Sequence, residues 1–290
     1  MILLSTFVSD VFFSQTNLSN LFRQVSGVGL ISMGMLLVIM VGGIDLSVGS
    51  VMSLGGVLLA LLTHKMPLGA ALILTVGCGI TLGLSAGFLT TAGKIAPFIA
   101  TLALMTIARG VSFMISDGSP VPLNSAAAPL LSFGDGYLLG IPYPVLFFLL
   151  FTGLVFIILQ YHVIGRILIA IGSNEEAVRL AGINVNRYYW LVYGFSGAMA
   201  TLAGIVTVAR TGIGSPVVGI GLELDAIAAV VVGGTSLKGG RGSAINTLLG
   251  VIILGMIGNI MNLKDVPAYP QQIIKGVIII LAVLLQRFQK

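Results

Sequence analysis

A chain of 290 residues in which 57% are hydrophobic and only 8% charged, with a mean hydropathy of +1.11, has too little polar surface for a soluble domain of that length. Its net charge of +5 comes from 14 basic residues scattered singly, so no basic run offers a nucleic-acid surface and no nucleic-acid partner is expected. The one cysteine, Cys78, lies inside an apolar run, which excludes an intramolecular disulfide.

Apolar runs of roughly 17 to 24 residues match a hydrocarbon core about 30 Å thick, so the expected fold is all-α: a polytopic membrane helical bundle, one transmembrane domain over 1–290. In chain order the spans number about ten, over 1–13, 27–43, 46–63, 68–91, 96–115, 143–162, 188–211, 222–237, 243–262 and 271–287, each bounded by Gly, Pro or a charge. The first is too short to cross alone, with neither a basic residue ahead of it nor a cleavage site, so the start is expected to be truncated. With both ends inside, the cytoplasmic side receives Lys94, Arg166, Arg179, Arg187, Lys238, Arg241, Arg287 and Lys290. The opposite side receives Arg23, Lys65, Arg210 and Lys264, and its longest loop, 117–142, carries two Asp and no basic residue. That asymmetry supports the orientation.

Three polar motifs interrupt the apolar pattern. GGIDLSVGS at 42–50 sets Asp45 between two apolar runs, where a carboxylate either caps the next helix or meets something crossing the membrane. The longest interruption is 165–185, GRILIAIGSNEEAVRLAGINV. Ser173 or Asn174 supplies an N-cap, with Ser173 and Glu176 spaced as a capping box; Glu175 and Glu176 complement the helix start, Arg179 its end, and Gly182 permits a left-handed stop. The result is a helix of about eight residues, roughly 12 Å long, too short to stand alone and therefore expected to dock against the spans or a cytoplasmic partner.

The third motif, ELDAIAAVVVGGTSLKGGRG at 223–242, places Asp225 ahead of a short apolar segment ended by Gly233 and Gly234, the pattern of a broken helix. Asp45 with Gly55 and Gly56 loosely repeats that pattern from the opposite face, as an inverted repeat of about five plus five spans would. GTSLKGGRGS at 234–243 fails as a phosphate loop, because Gly239 is followed by Gly240 and Arg241 rather than by Lys and a hydroxyl residue. The chain is not expected to hydrolyse ATP.

GGIDLSVGS, AIGSNEEAVRLAGINV at 170–185 and ELDAIAAVVVGGTSLKGGRG together resemble the permease subunits of ABC importers of the ribose, xylose and galactoside type, nearest to the ribose type. The resemblance covers nearly the whole chain. It implies a permease that moves a monosaccharide, ribose or a related pentose, across the bacterial cytoplasmic (inner) membrane. The implied partners are a cytoplasmic ABC ATPase, a periplasmic or lipid-anchored sugar-binding protein, a second permease copy (a homodimer) and membrane lipid. ATP and magnesium would sit on the ATPase, with no cofactor or metal on this chain. Residues 164–187 would hold the coupling helix, with Asn174, Glu175, Glu176, Ala177, Arg179 and Gly182 meeting the ATPase.

A sugar exchanging water for protein needs polar partners and aromatic faces, which makes Asp45, Ser47, Phe98, Thr101, Arg109, Ser112, Phe113, Asp225, Asn246, Asn259 and Asn262 the path candidates. Arg109, deep in an apolar span, faces protein or water or snorkels to the surface. An ion- or proton-coupled secondary transporter would instead use Asp45, Asp225 and Arg109 as coupling groups, and leaves the capped helix unexplained. An intramembrane enzyme lacks its groups: His64 and His162 sit at span ends with no nucleophile or metal motif, so no catalytic residue is expected.

Overall fold

The computed structural model describes residues 11–288, so most of the expected first span, 1–13, lies outside the described residues. Helix α1, Gln15–Met40, starts twelve residues before the expected 27. Ser14 caps it, its hydroxyl accepting from the Asn17 N–H at 3.2 Å. Polar residues such as Gln15, Asn17, Gln24 and Arg23 read as a loop in sequence but continue the helix: Asn17 exchanges amide hydrogen bonds with Asn259, and Arg23 donates to the Asp135 carbonyl and lies over the Tyr137 ring.

Helix α2 is Val48–Thr63, α3 Leu68–Thr91 and α4 Pro97–Ile115. The 117–142 loop then holds strand β1 (Val121–Pro122), a 3-10 turn, helix α5 (Ala128–Asp135) and the β2–β3 hairpin (Tyr137–Leu138 and Ile141–Pro142). Helix α6, Tyr143–Tyr161, leads into α7, Val163–Ser173, and α8, Glu175–Leu180. Helix α9, Val185–Thr211, is followed by strand β4 (Ile213–Gly214, antiparallel to β1), α10 (Leu222–Val232), α11 (Ala244–Leu263) and α12 (Ala268–Phe288).

Among the described residues six helices, α1, α3, α4, α6, α9 and α11, are long and apolar enough to cross a membrane. Burial separates them. The apolar windows of α1 and α9 are 78% buried, whereas those of the other four are 22–28% buried, so α1 and α9 form the core and the rest turn apolar faces outward. Helix α9 meets α3 through Gly79, Gly83 and Gly87: a methyl group on Gly83 would stand 2.1 Å from the Tyr193 carbonyl oxygen. In lipid, where apolar burial gives no drive between helices, such small-residue seams let backbones approach.

Helices α2 and α10 fall short of a span. At 16 and 11 residues they rise about 24 and 16 Å, against roughly 30 Å of hydrocarbon. Helix α10 stops at Val232, five residues before the expected end at 237, because Gly233 and Gly234 turn the chain and a methyl group on Gly233 would strike the Asn246 carbonyl at 2.5 Å. Irregular segments, 41–47 before α2 and 212–221 before α10, supply the remaining depth. The two enter from opposite ends of the bundle. Residues 41–47 leave α1 where the Met40 carbonyl accepts from the Gly240 N–H, at the α8 end. Residues 212–221 leave α9 beside β1, at the hairpin end. In the interior, Gly49 in the first turn of α2 faces Gly219 of the second segment backbone to backbone.

Candidate functional site

Three regions gather the sequence candidates: the interior crossing of 41–49 with 215–223, a polar cavity lined by Asp225, and the α8 surface. Non-helical backbone inside a membrane protein must find its hydrogen bonds within the protein. Asp45, 1% exposed, does this for the first segment. Its Oδ1 accepts from the Ser47 N–H at 3.0 Å and the Ser47 hydroxyl at 2.6 Å, and its Oδ2 accepts from the Ser196 hydroxyl of α9 at 2.7 Å. Thr101, also buried, has its hydroxyl 2.9 Å from the Pro97 carbonyl oxygen and 3.2 Å from that of Ile44, which sets α4 against the same segment.

Arg109 serves the second segment. It neither snorkels nor points at open space; its Nη1 donates to the carbonyls of Pro216 at 2.6 Å and Val218 at 2.7 Å. Ser53 adds a donor at 3.0 Å to Pro216, and its hydroxyl lies 3.0 Å from that of buried Ser112. Thus Asp45, Ser47, Thr101, Arg109 and Ser112 converge on the crossing, whereas Phe98 (53% exposed) and Phe113 (37%) lie on the outward face of α4.

A cavity of about 120 Å³ brings together a different set. Asp225, Asn259 and Asn262 line it with Gln24, Gln271 and Lys275, over an apolar floor that includes Val25 and Leu254. Lys275 pairs with Asp225 at 2.8 Å, and Gln271 donates to Asn262 at 2.8 Å. Lys275 was missed in the sequence, although a lone cation in the apolar 271–287 run carries the signal that singled out Arg109. Asn246 lies apart, exposed in a groove with Gly233, Gly250 and Leu281.

On α8, Asn174 is the N-cap: its Oδ1 accepts from the Ala177 N–H at 3.0 Å. The expected Ser173–Glu176 capping box does not form, because the Ser173 hydroxyl donates back to the Ile169 carbonyl and ends α7. The preceding α7 and the six-residue length of α8, shorter than expected, follow from that division. Gly182 does take the left-handed stop, at φ 80°.

The two faces of α8 differ. Val178 is buried; Arg179 grips Glu175 through Nε at 3.0 Å and Nη2 at 2.6 Å; and the other Glu175 oxygen accepts from the Tyr189 hydroxyl at 3.0 Å. Glu176, Ala177 and Gly182 are exposed, as is Leu180 at 83%. Sequence reading missed Leu180; its signal was an apolar residue two positions from Val178, hence on another side of a helix. Among the described residues no group of three His, Cys, Asp or Glu is placed to hold a metal.

Residues 17–283 match the family described as branched-chain amino acid transport system / permease component. The ribose import permease protein of Haemophilus influenzae is 40% identical over 99% of this chain and 90% of its own length. That of Escherichia coli K12 is 43% identical over 96% of this chain and 87% of its own. The D-allose transport system permease protein of Escherichia coli K12 is 36% identical over 96% and 85%. No solved structure matches the chain.

Proposed function

Because this chain belongs to the branched-chain amino acid transport system / permease component family, we propose that it carries a monosaccharide, ribose or a related pentose, into the cytoplasm. It is a multi-pass inner-membrane protein and the permease subunit of an ABC sugar importer, a transport subunit and not an enzyme. Such a permease works with an ATPase and a substrate-binding protein. The observation that carries the substrate is the similarity, over nearly the whole chain, to ribose import permeases.

In this reading the α8 end faces the cytoplasm, where Lys94, Arg166, Arg187, Lys238 and Arg241 give the basic excess. Asn174, Glu176, Ala177, Leu180 and Gly182 form the contact with the ATPase, which holds ATP and its magnesium, while Glu175 and Arg179 keep α8 in place from behind. A second permease copy and lipid cover the outward apolar faces of α4, α6 and α11. The spans form a pseudo-twofold inverted repeat, supported by α2 and α10 starting at one interior crossing after entries from opposite ends. The path runs by that crossing and by the Asp225, Asn259 and Asn262 cavity. Asp45 and Arg109 are held by neutral groups of the protein, and Asp225 by Lys275.

The test is uptake of labelled ribose into proteoliposomes holding the chain with the ATPase and binding protein that co-purify with it. Uptake that needs ATP supports the reading. Uptake driven by an ion gradient, without ATP and without a partner, overturns it.

A further inference from the structure

One face of helix α9 lies between the α8 surface and the interior crossing. Helix α9 presents Tyr189, Tyr193 and Ser196 at spacings of four and three residues, hence along one side. Each touches an alternate residue of the segment after α1. The Tyr189 hydroxyl lies 3.1 Å from the Val41 carbonyl oxygen. The Tyr193 ring fills the space over Gly43, where a methyl group would stand 2.5 Å from its hydroxyl oxygen. The Ser196 hydroxyl donates to Asp45 at 2.7 Å.

The first of these contacts is shared. A phenol has one proton to give, yet the Tyr189 hydroxyl stands between two acceptors at nearly equal distance, Glu175 Oε2 of α8 at 3.0 Å and the Val41 carbonyl at 3.1 Å. Glu175 also accepts two hydrogen bonds from Arg179 on its other oxygen, so anything that draws Arg179 or α8 away alters the competition at Tyr189. No other side-chain hydrogen bond between described residues joins α8 to the 41–47 segment.

From this geometry we infer that Tyr189 is a coupling residue: its hydroxyl moves between Glu175 and the Val41 carbonyl as the ATPase loads α8, passing that movement to the segment that carries Asp45 and abuts the Gly49–Gly219 crossing. The inference rests on the proposed docking of an ATPase at α8. Tyr189 touches no substrate and acts by positioning residues 41–47.

The test uses the complex of permease, ATPase and sugar-binding protein in proteoliposomes, reading ATPase retention, ATP hydrolysed and sugar moved. Tyr189→Phe keeps the ring and removes the shared proton. The ATPase should stay bound while sugar moved per ATP falls roughly tenfold, within the span of ordinary site-to-site coupling. Adding Glu175→Gln to Tyr189→Phe should lower the ratio by less than the two single effects combined, since the variants share the Tyr189–Glu175 contact while Glu175 also holds Arg179; full additivity overturns the inference. An unchanged ratio in Tyr189→Phe overturns the inference. Should that variant be recovered poorly, Glu175→Gln alone serves, because it weakens one acceptor and biases the hydroxyl to Val41; hydrolysis should then lose its dependence on sugar-loaded binding protein, and retained dependence overturns the inference. Failure of the wild-type chain to hold an ATPase overturns the docking reading instead.

Discussion

Gly49→Ala tests the interior crossing most sharply. An added methyl group would stand 2.2 Å from the Gly219 carbonyl oxygen and 2.6 Å from a Glu223 carboxylate oxygen, the first of them more than 1 Å inside ordinary contact. Neither backbone can retreat freely. Gly219 is held at φ 82°, and its segment is pinned upstream where Gly214 lies against the Gly56 carbonyl and where Arg109 holds Pro216 and Val218. Overpacking of this kind costs about 2–3 kcal/mol, which lowers the unfolding midpoint by roughly 4–10 °C in a chain of this size. Gly219→Ala should be worse by about 1–2 kcal/mol, because it adds a left-handed alanine to the reciprocal clash with the Gly49 carbonyl at 2.2 Å. Gly110→Ala, in α4 with nothing within 4 Å of the new methyl group, is the control, and its helical alanine should stabilise by up to about 1 kcal/mol. Thermal unfolding in detergent can be followed by a thiol-reactive dye, since Cys78 is the one cysteine and is half-buried in α3. If Gly49→Ala unfolds together with Gly110→Ala and still transports, the two segments do not meet as described.

Asp45→Ala strips the acceptor from three donors, the Ser47 N–H, the Ser47 hydroxyl and the Ser196 hydroxyl, and should cost about 3–5 kcal/mol by the same unfolding assay, with Asp45→Asn retaining part of it. Leu180→Asp, at a position 83% exposed, should leave the stability within about 0.5 kcal/mol of wild type yet abolish co-purification of the ATPase. Charge reversal at Glu176 should weaken the same association without unfolding, whereas reversal at Glu175 also breaks its bonds to Arg179 and Tyr189 and should destabilise the loop. Lys275→Ala should cost more than the double Lys275→Ala with Asp225→Ala; both partners are partly exposed, so a double-mutant cycle should return a coupling of only about 1 kcal/mol.

Much of the bundle could be read from the sequence, because long apolar runs between Gly, Pro and charges have few alternatives: α3, α4 and α6 begin and end within a residue or so of expectation. The start of α1 could not. Its first turns are polar because they pack in a polar environment of their own, Asn17 against Asn259 and Arg23 against the 128–138 region, and hydropathy cannot tell such turns from a loop. The boundary between α7 and α8 was hidden for a related reason. Ser173 and Asn174 are both good caps by type, and only the direction of each side chain, Ser173 back into α7 and Asn174 forward into α8, assigns the break.

The intramembrane charges answer to the backbone as well as to the membrane. A carboxylate or guanidinium deep in an apolar chain is costly, so finding one implies a task. At the crossing the task is set by the backbone. The segment before α2 offers the Ser47 N–H and hydroxyl, and Asp45, an acceptor only, collects both together with the Ser196 hydroxyl of α9. The segment before α10 offers carbonyls, and Arg109, a donor only, collects two. Exchanging the two residue types would leave each segment facing its own polarity. The sign of each charge thus follows from which backbone groups its broken segment leaves unpaired, a fact that sequence spacing does not carry, and a transport role for either residue would act through the segment it holds. Tyr189 differs from its neighbours on that face of α9. Ser196 has a single hydrogen bond to the segment and the Tyr193 ring packs over Gly43 with its buried hydroxyl unpaired among the described residues, while Tyr189 stands between two acceptors, one on each side of the link from α8 to the interior.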